Sequence, residues 1–147
     1  MTPENFLFLG PAIEDRLRAA LPAEVRVTQA YDLAHMNVQF VPAVFVIYSR
    51  FRVTEASVPA FASVEQTWLT VIAVRNAANH AVGNAAREEA GRLAIPVIDA
   101  LQQTRFTPAR GLKLAEALPA GSDGAGFYYL PLAWTAGITL AREQCPN

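Results

Sequence analysis

The sequence predicts a single α+β domain in which a mainly antiparallel β-sheet packs against two principal α-helices. Two segments, 11–21 and 84–103, carry apolar residues at helical spacing, while several other runs are rich in β-branched and aromatic residues. Successive strand-like runs are joined more often by loops than by helical crossovers, which favours antiparallel pairing. At 147 residues the chain is large enough for one sizeable core. The expectation is one domain over 1–147, a core of about 12–140 and a flexible C-terminal tail.

The first helix is expected from about Pro11, through PAIEDRLRAAL. Leu9, Ile13, Leu17, Ala20 and Leu21 form one stripe, and Glu14, Asp15, Arg16 and Arg18 occupy the remaining surface. After Pro22, EVRVTQA alternates as a short, half-exposed strand near an edge. YDLAHMNVQ holds one helical turn, and Ala43–Val53 (AVFVIYSRFRV) reads as a central strand.

Thr54–Ser63 contains small residues and Pro59, so it is expected to be a loop. The returning strand, SVEQTWLTVIAVRN, places Trp68, Ile72 and Val74 on one face and Leu69, Val71 and Ala73 on the other. Both faces of its middle must be covered, each by a helix or a neighbouring subunit. A second helix follows from about Asn84, with Ala86, Ala90, Leu93, Val97 and Leu101 in register and a kink expected at Pro96.

LKLAEAL is a further candidate strand, and PAGSDGAG is the most loop-like stretch. The final run, FYYLPLAWTAGITLA, holds Pro131 and Gly137, which argue for an edge position or a bulge.

Composition narrows the function. The chain is 52% hydrophobic and only 17% charged, where about a quarter charged is usual, so part of the apolar surplus is expected at subunit contacts. Net charge is −1, with no Lys/Arg run of the kind that neutralises a nucleic-acid backbone, which argues against direct nucleic-acid recognition. No apolar run approaches the roughly 20 residues of a membrane span, and the N-terminus lacks the basic start of a signal peptide. A cytoplasmic protein without membrane contact is expected. Cys145 is the single cysteine, which excludes an intrachain disulfide.

Catalytic patterns are lacking. His35 and His80 stand outside any metal-ligand cluster; Asp32 and His35 could supply two ligands from one helical turn but lack a third. Neither a GxSxG turn nor a phosphate-binding glycine loop with its lysine occurs. The expectation is a non-enzyme with no catalytic residue, cofactor or metal.

What remains is a set of interface candidates. Arg50 and Arg52 share one strand face with Phe51 opposite, suited to solvent or to an acidic neighbour in an oligomer. Arg75 and Asn76 end an apolar strand, where ion pairing or loop capping competes with a functional role. The loops around Pro59 and Asp123 are candidates for partner docking.

Taken together, IEDRLRAAL, PAVFVIYSRFRV, QTWLTVIAVRNA, AGRLAIPVIDAL and FYYLPLAWTAGITL resemble the phage tail terminator family of Mu-like phages and prophages, from about Ala12 to Leu140. The resemblance implies a subunit that assembles with itself into a homohexameric ring at the head-proximal end of the virion tail, after assembly in the bacterial host cytoplasm. Its other implied partners are the tail tube protein and the head-tail connector or neck proteins. Such a ring caps the tube, stops its polymerisation and offers the head-joining surface. Two alternatives stay open: a neck or head-completion protein, and a small enzyme or ligand-binding domain with a pocket near His80 and Arg75.

Overall fold

A computed structural model describes residues 2–57, 61–76, 84–116, 118–122 and 126–141. In chain order it contains α1 (Leu9–Ala20), β1 (Arg26–Gln29), a 3-10 turn (Leu33–His35), β2 (Ala43–Ser57), β3 (Phe61–Arg75), α2 (Asn84–Leu101), β4 (Lys113–Ala115), β5 (Gly121–Ser122) and β6 (Phe127–Ala141). The sheet runs β1-β2-β3-β6-β4, with β5 also paired to β6. Only β1 and β2 are parallel; every other pairing is antiparallel.

β3 is the axis of the sheet. It pairs with β6 along its whole length, from Phe61 opposite Ala141 to Arg75 opposite Phe127, and with β2 on its other side. Trp68 to Val74 are continuously buried, so the strand alternates between two cores rather than between core and water.

The first core lies under both helices. Leu9, Ile13 and Leu17 of α1 and Ala86, Ala90, Val97 and Leu101 of α2 pack with Trp68, Ile72, Val74 and Trp134. Each fully buried Leu, Ile or Val contributes roughly 1.5–3 kcal/mol. Gly10 lets α1 lie directly on the sheet: a Cβ there would meet the Gln29 amide and the Trp68 ring at 3.1 Å. Arg16 Nε donates to the Ala100 carbonyl at 3.1 Å, tying α1 to the last turn of α2, where a cation suits the helix dipole.

Polar groups inside this core are paired. Gln66 is wholly buried; its Nε2 donates to the Phe6 carbonyl at 2.7 Å, and its Oε1 accepts from Trp68 Nε1 at 2.9 Å. Trp134 Nε1 donates to Thr70 Oγ1 at 3.0 Å. No described buried side-chain nitrogen or oxygen lacks a partner.

The second core contains Ala43, Phe45, Ile47, Leu69, Val71, Ala73 and Ala133. Sequence periodicity required a helix or another subunit over this face. The cover is instead supplied within the chain: Ala30, Met36 and Val41 of the β1–β2 connection, with Ala115 and Tyr129.

Several boundaries differ from expectation. Helix α1 begins at Leu9, two residues before Pro11, whose missing N–H falls among the first-turn donors that have no intrahelical partner. Ala20 is exposed, while Leu17 and Leu21 on either side of it carry the stripe into the core. Most of the anticipated loop 54–63 is strand: β2 continues to Ser57 and β3 starts at Phe61, since pairs such as Ala56 with Ala62 fit a ladder despite their small side chains. LKLAEAL contributes only Lys113–Ala115, and Gly121–Ser122 of the expected loop pairs with β6.

β6 is not an outermost strand through its middle, and its register with β3 shows no bulge at Gly137. Pro131 is accommodated because β5 starts opposite Tyr129 and β4 ends opposite Ala133, leaving no described outer strand beside it to need its donor. The bulges fall in β2, between Tyr48 and Arg50 and between Val53 and Glu55.

Gln66→Ala would strand the Phe6 carbonyl and the Trp68 indole N–H. A loss of about 2–6 kcal/mol is expected in urea unfolding, from two groups at roughly 1–3 kcal/mol each.

Candidate functional site

Two regions hold the interface candidates that fall among the described residues. The first is the distal half of β2. The bulge after Tyr48 adds one residue, so Tyr48 and Phe51 both face the helices while Arg50 and Arg52 face the other way. Arg52 Nε contacts Glu65 Oε1 at 3.1 Å across the β2–β3 ladder. Thr67, Ala115, Glu116 and Thr135 complete a polar depression of about 450 Å³ around the two arginines. On the opposite face Phe51 meets Phe6 edge to face at 5.2 Å.

The second region is the far end of β3. Arg75 Cζ lies 5.1 Å from the centre of the Phe127 ring, and Phe127 stacks on Tyr129 at 6.4 Å. Asn76 N donates to the Gly126 carbonyl at 2.9 Å. These contacts close the entry of β6 against the exit of β3. Arg50 pairs with Thr67, eight positions before Arg75, so the two regions stand about 26 Å apart at roughly 3.3 Å per residue. They are separate surfaces. Pro59 and Asp123 lie outside the described residues, as does His80.

Two apolar clefts were not anticipated. One, of about 430 Å³, opens on the second core between Leu33, Met36 and Val38 on one side and Leu118, Pro119, Tyr129 and Pro131 on the other. The other, of about 550 Å³, lies between Leu7, Gln29, Tyr31, Tyr48 and Trp68. Sequence signals existed in Tyr31 and Leu33 beside the helical turn, but their exposure, 86% and 45%, depends on a connection whose path periodicity does not encode.

The wall of the first cleft is held by a local clip. Asp32 Oδ1 accepts from the backbone N–H groups of Ala34 and His35 and lies 2.6 Å from His35 Nδ1. The His35 hydrogen bond, chiefly, holds the Asp32 carboxyl below its ordinary value. A depressed carboxylate supports the turn above its ordinary pKa, and that support is lost as pH falls through the lowered value. Burial pushes the Tyr48 hydroxyl up. Among the described residues no three His, Cys, Asp or Glu side chains form a metal-binding group.

Charge reversal at Arg75 tests the strand-end reading. Arg75→Glu removes an exposed cation–π contact worth about 0.5–1 kcal/mol, so the melting temperature should fall by only a few degrees. Unfolding at room temperature, read by circular dichroism, would contradict this.

Residues 4–144 match the family described as phage tail terminator protein. No curated protein matches the chain. Among solved structures, a chain from "Virion of native gene transfer agent (GTA) particle" is similar over 90% of this chain and 88% of its own, at 17% identity and a TM-score of 0.49.

Proposed function

The chain belongs to the phage tail terminator family, and from that premise we propose that it forms a homohexameric ring that caps the head-proximal end of a tail tube. The coarser role, a structural component of a phage-type tail, follows from the family itself. The match over residues 4–144 carries the proposal, because it spans both helices and the whole sheet.

The mechanism is stoichiometric capping. One ring face complements the last ring of tube subunits, and the other offers no site for a further tube subunit but presents the joint for head-tail connector or neck proteins. No bond is made or broken, no cofactor takes part, and neither nucleic-acid recognition nor a membrane is involved.

The surface supports such a role. Tyr31, Leu33, Phe40, Phe51, Val53, Ile95 and Leu118 are large apolar side chains at least 45% exposed, a supply of contact area for assembly. Ile95 stands 61% exposed on α2, next to the open surface of Gly91. The helices therefore offer a surface for subunit packing, while the distal half of the sheet offers strand edges and charges. Arg50, Arg52, Arg75, Asn76, Pro59 and Asp123 are assigned here to oligomer or partner contacts.

Deleting the gene and inducing particle assembly tests the proposal by electron microscopy. Tails of abnormal, variable length, restored to normal by the intact gene, are expected. Tails of normal length beside unjoined heads would replace capping with a neck role.

A further inference from the structure

The two sides of the sheet end differently. On the β4–β6 side, several outward backbone groups are met by specific partners. Gln102 Oε1 accepts from Leu114 N at 3.1 Å, Arg110 N donates to the Gly137 carbonyl at 2.9 Å, and Thr2 Oγ1 bonds both the N–H and the carbonyl of Ala141. On the other side, β1 covers β2 only as far as Val46, whose carbonyl accepts the last bond, from Ala30 N at 3.0 Å. From Tyr48 to Ala56 no described strand lies outside β2. An uncovered edge presents a row of backbone donors and acceptors, the template on which another extended chain adds by main-chain hydrogen bonds.

Side chains along this edge define what it would accept. Phe51 and Val53 are 49% and 56% exposed on the helix side. Arg50 points to the other face and, unlike Arg52, has no ion pair among the described residues. The cleft of about 550 Å³ between Leu7, Tyr31 and Tyr48 lies where β1 stops, in line with the open edge.

We propose that the β2 edge from Tyr48 to Ala56, with this cleft, docks an extended strand of a different protein. That strand alternates apolar and polar residues, sets an acidic side chain opposite Arg50 and inserts an apolar side chain into the cleft. A second copy of this chain is a poor occupant. Its opposite sheet edge is already occupied at three points, by Gln102 at Leu114, Arg110 at Gly137 and Thr2 at Ala141, and antiparallel β2–β2 pairing centred on residue 51 or 52 sets arginine against arginine. The two bulges break the plain repeat of the edge and so restrict which strand can follow it. The assignment stands on edge geometry and charge, and holds whether or not the chain forms a ring.

Selection of a display library of random nonapeptides on the purified full chain, and separately on Arg50→Glu, tests it. The wild-type chain should select alternating apolar peptides carrying Asp or Glu. A peptide so selected should slow hydrogen exchange of the exposed amides between Tyr48 and Ala56, and should bind Arg50→Glu about tenfold more weakly. Arg50→Glu should itself select basic peptides, with an unchanged melting temperature. No enrichment, one consensus for both proteins, or protection confined to another surface would overturn the proposal. Concentration-dependent protection of the same amides in the chain alone would also overturn it, by assigning the edge to a second copy.

Discussion

The buried amide of Gln66 is the interaction on which the rest of the structure depends. It sits on the helix-facing side of β3 and bonds both the Phe6 carbonyl just before α1 and the indole of Trp68 beneath it. Trp68 is in turn the ring against which Gly10 brings α1 down and against which Tyr48 packs edge to face at 5.3 Å. One side chain thereby fixes the height of the first helix, the orientation of the central indole and the position at which β2 leaves the core. A hydrophobic residue of similar volume could fill the space, but the Phe6 carbonyl and the indole N–H would then be left without these partners.

That constraint separates the sheet into two regimes. Above Trp68, β3 is sandwiched between helices and connections and behaves as core. Below it, β2 is exposed from Ser49 to Ala56, while β3 and β6 still bury Gln66, Val64 and Ile138 on the helix side. A core that carries an exposed, open-edged strand suits a protein whose work is to be held by neighbours. The same division explains why the candidate arginines do not converge: Arg50 and Arg52 belong to the exposed strand, whereas Arg75 belongs to the sealed end of the core, packed over Phe127.

Much of the core was legible because its periods are clean. Trp68, Ile72 and Val74 face the helices and Leu69, Val71 and Ala73 face away, as strict alternation requires. The shared face of Arg50 and Arg52 was readable for the same reason, since no bulge falls between them. The bulges on either side were not readable: an inserted residue leaves no compositional mark, yet it brings Tyr48 and Phe51 to one face. The extension of β2 and β3 into 54–63 was hidden by alanine and serine, whose strand state comes from cross-strand neighbours rather than from propensity. The occupied points and the open edge were equally hidden, because Thr2, Gln102 and Arg110 reach β6 and β4 only through tertiary contacts.

Family membership supports the proposed account, in which a pre-folded subunit ends tube growth by occupying its last position. The most direct test is polymerisation of purified tail tube subunits in the presence of increasing amounts of this chain, with tube lengths measured by electron microscopy. The account predicts that mean length falls as the ratio of this chain to tube subunit rises, with one ring of the chain at one end of each tube. Tubes of unchanged length, or rings distributed along the tube, would contradict it.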